Sequence, residues 1–132
     1  MSSKPVTGGC LCGAVRYEYD GEVGPAGICH CRDCRHVTGS AFIVSVRMQA
    51  RHFRLVSGRL GSFTKQADSG NELTRYFCAN CGSPIYGDSP AHQDVVYVRA
   101  GSLDDADIVH LAHQTWTASA VSWAHIPDDL PS

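Results

Sequence analysis

A mainly β fold is predicted by three features of the sequence. Short runs of alternating apolar and polar residues recur about every ten positions. Turn residues separate these runs. Glycine is abundant, with 13 in 132 residues, which favours turns over long helices. A chain of this length fits one compact domain.

The elements follow in order. Residues 1–7 read as a loose polar leader and residues 8–132 as a single domain. Gly8 and Gly9 mark a turn before Cys10. From Ala14 to Asp20, Val15, Tyr17 and Tyr19 alternate with Arg16, Glu18 and Asp20, the pattern of a strand with one wet face. Gly21 to Gly27 is glycine-rich and reads as a turn. Cys29-His30-Cys31-Arg32-Asp33-Cys34 is too short for a long regular element. It reads as a tight loop running into a helical turn around Arg32 to Val37. Phe42 to Gln49 is a strand with Phe42, Val44, Val46 and Met48 on one face. Ser45, Arg47 and Gln49 occupy the other. His52 to Val56, Leu60 to Gln66, Leu73 to Phe77, Ile85 with Tyr86, and Val95 to Ala100 supply further strands. Asp104, Asp105 and Asp107 would suit the first turn of a helix near Leu103 to Val109. Ile108 to Thr117 and Ala120 to Ile126 would close the fold as strands.

Charge and hydropathy narrow the partners. The formal net charge is −2, and the basic residues are scattered, the closest cluster being Arg47, Arg51 and Arg54. No electrostatic footprint for nucleic acid is present. No apolar run approaches the roughly 20 residues needed to cross a bilayer. The first seven residues lack the apolar core of a secretion signal. A cytoplasmic protein is expected, with neither nucleic acid nor membrane as partner. An exposed edge strand would permit a homodimer.

The seven cysteines carry more information. Their odd number rules out a complete set of internal disulfides. They fall into three tight groups: Cys10 and Cys12; Cys29, Cys31 and Cys34; Cys78 and Cys81. Close spacing within groups and long gaps between them is a metal-site pattern. The two pairs together supply four thiolates, a set suited to a closed structural zinc; iron is the alternative metal. Such a site would clip the front of the chain to its middle and contribute folding energy. The trio supplies three thiolates. It could be completed by His30, His36 or a distant residue, or could leave one position open on a second zinc. His30 is expected to be exposed or to support a ligand. Cys31 and Cys34 alone would also permit thiol–disulfide exchange.

Three stretches, GGCLCGAVRY, CHCRDCRHVTGSAF and FCANCGSPIY, resemble the glutathione-dependent formaldehyde-activating enzyme family, also called the GFA/CENP-V domain. HQTWTASAVSW followed by IPDDLP is similar to its closing segment. The resemblance covers nearly the whole chain. It implies an Mss4-like fold of curved antiparallel sheets clipped by zinc. It implies two zincs per chain: a structural one on Cys10, Cys12, Cys78 and Cys81, and an active-site one on Cys29, Cys31 and Cys34. The activity implied is that of a carbon–sulfur lyase acting on small thiol adducts such as S-hydroxymethylglutathione, formed from glutathione and formaldehyde. Gly39, Ser40, Ala41 and Phe42 would line a thiol pocket beside the second metal, as would His113, which stands some ten residues before Trp123. His30 or a bound water would carry a proton, and Arg35 and Arg47 could pair with a substrate carboxylate. Two other readings stay open: a zinc-stabilised binding module without catalysis, and a thiol-redox protein.

Overall fold

A computed structural model describes residues 5–126 and 130–131. Ten strands and one short helix follow one another: β1 Val6–Gly9, β2 Arg16–Tyr19, β3 Ala26–Cys29, α1 Arg32–Thr38, β4 Ile43–Gln49, β5 Phe53–Ser57, β6 Leu60–Gln66, β7 Glu72–Cys78, β8 Pro84–Asp88, β9 Val95–Arg99 and β10 Leu111–Thr115. They form a three-stranded sheet ordered β1-β2-β5 and a seven-stranded sheet ordered β10-β3-β4-β9-β8-β7-β6. The fold is mostly strand, as the recurring alternation predicts.

The two sheets close on one apolar core. Val15, Tyr17 and Tyr19 from the small-sheet side meet Val46, Met48, Val96 and Val98 from the large sheet. Each is an alternate residue of its run. The opposite faces of β4 and β9 are therefore free to carry Ser45, Arg47, Tyr97 and Arg99. Full burial of side chains of this size contributes about 1.5–3 kcal/mol each. Phe53 of β5 bridges the sheets, its ring centroid 5.1 Å from Tyr17 and 4.9 Å from Tyr86 of β8. The Tyr17 hydroxyl reaches Ser102 Oγ at 2.5 Å, which satisfies a polar group that burial would otherwise penalise.

Several expectations are corrected. Val6 and Thr7 belong to β1, paired with Tyr19 and Glu18, rather than to a leader; residues 1–4 lie outside the described residues. Ala26–Cys29 is a strand where a turn was expected up to Gly27. The sheets are not wholly antiparallel, because β10 runs parallel to β3. The expected helix at Leu103 to Val109 shrinks to one 3-10 turn, Ala106–Ile108, capped by the Asp105 side chain on Asp107 N–H. Asp104 is instead engaged by Arg16 and by the Thr7 hydroxyl. Residues 121–126 carry no strand, and Trp123 is 73% exposed. Of the segment expected to follow, residues 127–129 lie outside the described residues.

The large sheet's second face is built from two registered rows. One runs Arg75–Gly87–Tyr97–Arg47 across β7, β8, β9 and β4. The other runs Arg99–Ser45–Gly27–His113 across β9, β4, β3 and β10. Polar residues gather here because the core lies on the opposite side.

Candidate metal centres and the cavity beside the second

Cys10, Cys12, Cys78 and Cys81 converge, their sulfurs all within 4.8 Å of one another. Two short turns bring them together. After Cys78 the chain reverses so that Gly82 N–H donates to Cys78 O at 2.9 Å, with Gly82 at φ 80°, a backbone region that favours glycine. Gly13, at φ 83°, performs the same reversal after Cys10 and Cys12. The sulfurs are wrapped by donors. Val15 N–H points at Cys10 Sγ at 3.2 Å, Asn80 N–H at Cys78 Sγ at 3.3 Å, and Asn80 Nδ2 at Cys12 Sγ at 3.3 Å. Each donor turns the positive end of an N–H dipole toward a sulfur. Hydrogen bonding from Ser83 pulls Cys81 down to about 5.

The spacing fits a tetrahedral ion. Metal–sulfur bonds of about 2.3 Å place tetrahedral sulfurs about 3.8 Å apart. Cys10 and Cys12 sulfurs are 3.6 Å apart and those of Cys12 and Cys78 3.8 Å. A disulfide would need about 2.05 Å. Four thiolates could thus coordinate one metal ion.

The trio forms a second group, its sulfurs also within 4.8 Å of one another. Cys29 ends β3. Cys31 caps α1, its sulfur accepting Cys34 N–H at 3.4 Å. Cys34 lies in the first helical turn and is buried. The helical turn expected after the trio is the device that gathers it, since residues three apart share one helix face. Hydrogen bonding from Cys34, joined by Thr115, pulls Cys29 down to about 5 against the effect of burial, and the Cys34 thiol is pushed up by that bond and by burial. Three sulfurs could hold one metal ion. Among the described residues no fourth His, Cys, Asp or Glu completes the group.

All three trio cysteines line a cavity of about 510 Å³. Its floor is the polar face of the large sheet, with Ser45, Arg47, Arg75, Tyr97, Arg99 and His113. Asp33 of α1 forms part of its wall, and Lys65 of β6 holds both Asp33 oxygens at 2.8 and 2.9 Å. His113 lies over Gly27, where an added Cβ would sit 2.4 Å from Nε2.

The other expected pocket residues lie elsewhere. Gly39 is the exposed cap of α1 and Ser40 is exposed beside it; neither lines the cavity. Phe42 turns away and meets the His30 ring edge-on at 5.6 Å. His30 is not exposed but 2% accessible. Its Nε2 is 2.9 Å from Gln114 Oε1, and Gln114 Nε2 donates to Leu130 O. His30 therefore joins β3 to the closing segment and does not line the cavity. Arg35 also lies outside the lining, whereas Arg47 is on it. Arg75, Tyr97 and Arg99 were not singled out from the sequence. The available signal was a charge on the non-core face of strands that otherwise read VVYV and TRYF.

No helix among the described residues is long and apolar enough to cross a membrane. A crystal structure of a Rhodobacter sphaeroides protein shares the fold, with a TM-score of 0.61 and 21% identity, covering 80% of this chain and 96% of that one. A comparison with curated proteins finds no match. The family model described as "Glutathione-dependent formaldehyde-activating enzyme" matches residues 5–119. With that match spanning all seven cysteines and every strand described above, this chain belongs to the glutathione-dependent formaldehyde-activating enzyme family.

Proposed function

We propose that the protein is a zinc-dependent carbon–sulfur lyase-like enzyme that makes or breaks small thiol adducts, with S-hydroxymethylglutathione as the type substrate. The observation carrying this reading is the contrast between the two cysteine groups. One has four sulfurs and can close around an ion; the other has three and lines a cavity. In this reading Cys10, Cys12, Cys78 and Cys81 hold a structural zinc, and Cys29, Cys31 and Cys34 hold a second. Zinc at the trio supplies positive charge that favours the thiolate form of a substrate sulfur.

The chain's own residues do the rest. The trio end of the cavity fixes where the substrate sulfur lies. As the S–C bond forms, the aldehyde C=O π pair moves onto oxygen, which takes a proton; the thiol proton leaves to solvent. In the reverse direction both transfers run backward. His113 replaces His30 as proton carrier in this account, because its ring lines the cavity while the His30 ring is sealed against Phe42 and Gln114. The cavity wall orients the two reactants. A cytoplasmic setting, where thiols stay reduced, suits this chemistry.

Exchange between glutathione, formaldehyde and their adduct, followed by NMR magnetisation transfer, tests the proposal. Wild-type protein should accelerate exchange, and His113→Asn should lower the rate by about 10²-fold, the usual contribution of a positioned proton carrier. Cys31→Ser should abolish the acceleration. Full acceleration by Cys31→Ser would rule out the trio as the reacting centre.

A further inference from the structure

We infer that His30 and Gln114 form a positioning pair that couples docking of the C-terminal segment at Leu130 and Pro131 to metal retention by the trio. The inference rests on the second zinc proposed above. It concerns residues that do not line the cavity.

His30 stands between Cys29 and Cys31, so whatever fixes it constrains where two of the sulfurs point. It is 2% accessible and is held from three sides. Its backbone N–H donates to Thr115 O of β10 at 3.1 Å. Its ring meets Phe42, just beyond α1, edge-on. Its Nε2 is 2.9 Å from Gln114 Oε1. Gln114 is registered with Ile28 and Thr115 with Cys29, so β10 supplies both the backbone anchor and the ring anchor. The Thr115 side chain also hydrogen-bonds Cys29.

Gln114 gives its two donors to the C-terminal segment. Its Nε2 donates to Leu130 O at 3.2 Å and its backbone N–H to Pro131 O at 2.9 Å. β10 is the outermost strand of the large sheet, and Pro131 O meets it on the edge that no strand pairs. With the amide nitrogen committed to a carbonyl, the amide oxygen is the end presented to His30. That oxygen can only accept, so the ring proton of His30 is on Nε2. One amide therefore orients the imidazole according to where Leu130 lies.

An imidazole is a costly side chain for this position. His30 Nδ1 is buried without a hydrogen-bond partner, and an unmet polar group in the interior is unfavourable. A phenyl ring would pack against Phe42 without that cost. What the imidazole adds is the bond to Gln114, which constrains ring orientation rather than packing. Among the described residues the trio has no fourth His, Cys, Asp or Glu, so its hold on an ion depends on sulfurs set in place beforehand. Residues behind metal ligands contribute about 10–100-fold to affinity. Linkage makes the effect mutual: a tail contact that strengthens metal binding is strengthened by the metal by the same factor.

Zinc retention against a graded chelator, together with hydrogen exchange at the Gln114 amide, tests this on the full chain. Cys31→Ser supplies the reference for the zinc on Cys10, Cys12, Cys78 and Cys81. His30→Phe and Gln114→Met should each weaken the trio zinc by about tenfold or more and leave the other zinc unchanged. The double variant should lose no more than either single one, because both remove the same bond. With the trio emptied by Cys31→Ser, adding His30→Phe should shift Tm by about 4 °C or less, which separates positioning from general stability. In wild-type protein, filling the trio should slow exchange of the Gln114 amide. Unchanged trio affinity in both single variants overturns the pair, as do losses that add in the double variant. Gln114 exchange indifferent to the second zinc overturns the coupling to the C-terminal segment, and that measurement decides even where a variant fails to fold. Two zincs in wild type with unchanged affinity in the variants removes the pair and leaves the proposed function standing. One zinc in wild type removes both.

Discussion

Replacing Cys10 and Cys12 together by serine should separate the metal clip from ordinary packing. Cys12 and Cys78 are 66 positions apart. Closing a loop of that length removes about 14–15 cal/mol/K from the unfolded chain, or about 4 kcal/mol near room temperature, by the relation used for covalent crosslinks. A metal bound only by the folded chain acts in the same direction. Unfolding entropy of about 2.1 cal/mol/K per residue over 132 residues comes to about 280 cal/mol/K. The loss then lowers Tm by roughly 15 °C. Serine keeps an acceptor for Val15 N–H, and Cys12 is exposed, so the packing change is small. Scanning calorimetry should be run on zinc-loaded and chelated samples of both proteins. The loaded pair should differ by roughly 15 °C and the chelated pair by about 3 °C or less. An equal difference in both conditions would refute the clip and assign the loss to packing.

Two further predictions concern the first sheet and the cavity. Arg16, with help from the Thr7 hydroxyl, holds the Asp104 carboxyl below its ordinary value of 3.8. The native state therefore takes up that proton later than the unfolded chain does, so the stabilisation is fully present above the ordinary value and is lost as pH falls through the lowered one. The Tm gap between wild type and Asp104→Asn should be widest near neutral pH and close as the solution is acidified below it; a gap independent of pH would refute the pairing. Gly27→Ala would place a Cβ 2.4 Å from His113 Nε2. The exposed ring can swing aside, so Tm should hold within a few degrees while adduct exchange falls by roughly tenfold or more. Unchanged exchange would show that the ring position is immaterial.

What was legible in the sequence follows from the range of the signal. Alternation in Val15–Tyr17–Tyr19 and Val46–Met48 reports directly on burial, and those residues form the core. The cysteine groups were legible because local spacing sets which sulfurs can meet. The strand β3 was missed: four residues, one of them Gly27, hold too little pattern. Its parallel pairing with β10 joins Gly27 to His113, a contact with no local trace. His30 was misplaced for a similar reason. Its burial is decided by Gln114, 84 residues away. The arginines of the floor escaped notice because a charge on the non-core face of a strand normally meets water; only the folded chain shows α1 and the β6–β7 hairpin walling that face in. Gly39, Ser40 and Phe42 were expected in the pocket only through the family resemblance of the stretch after the trio, but α1 carries them beyond it.

The proposed function stands or falls with the trio as a separate metal site on the cavity. Zinc per chain, measured by elemental analysis on reduced, anaerobically purified wild-type protein and on Cys31→Ser, tests it most directly. Two zincs falling to one, with the strand content retained by circular dichroism, is the predicted result. One zinc in both proteins, or two in both, would contradict it.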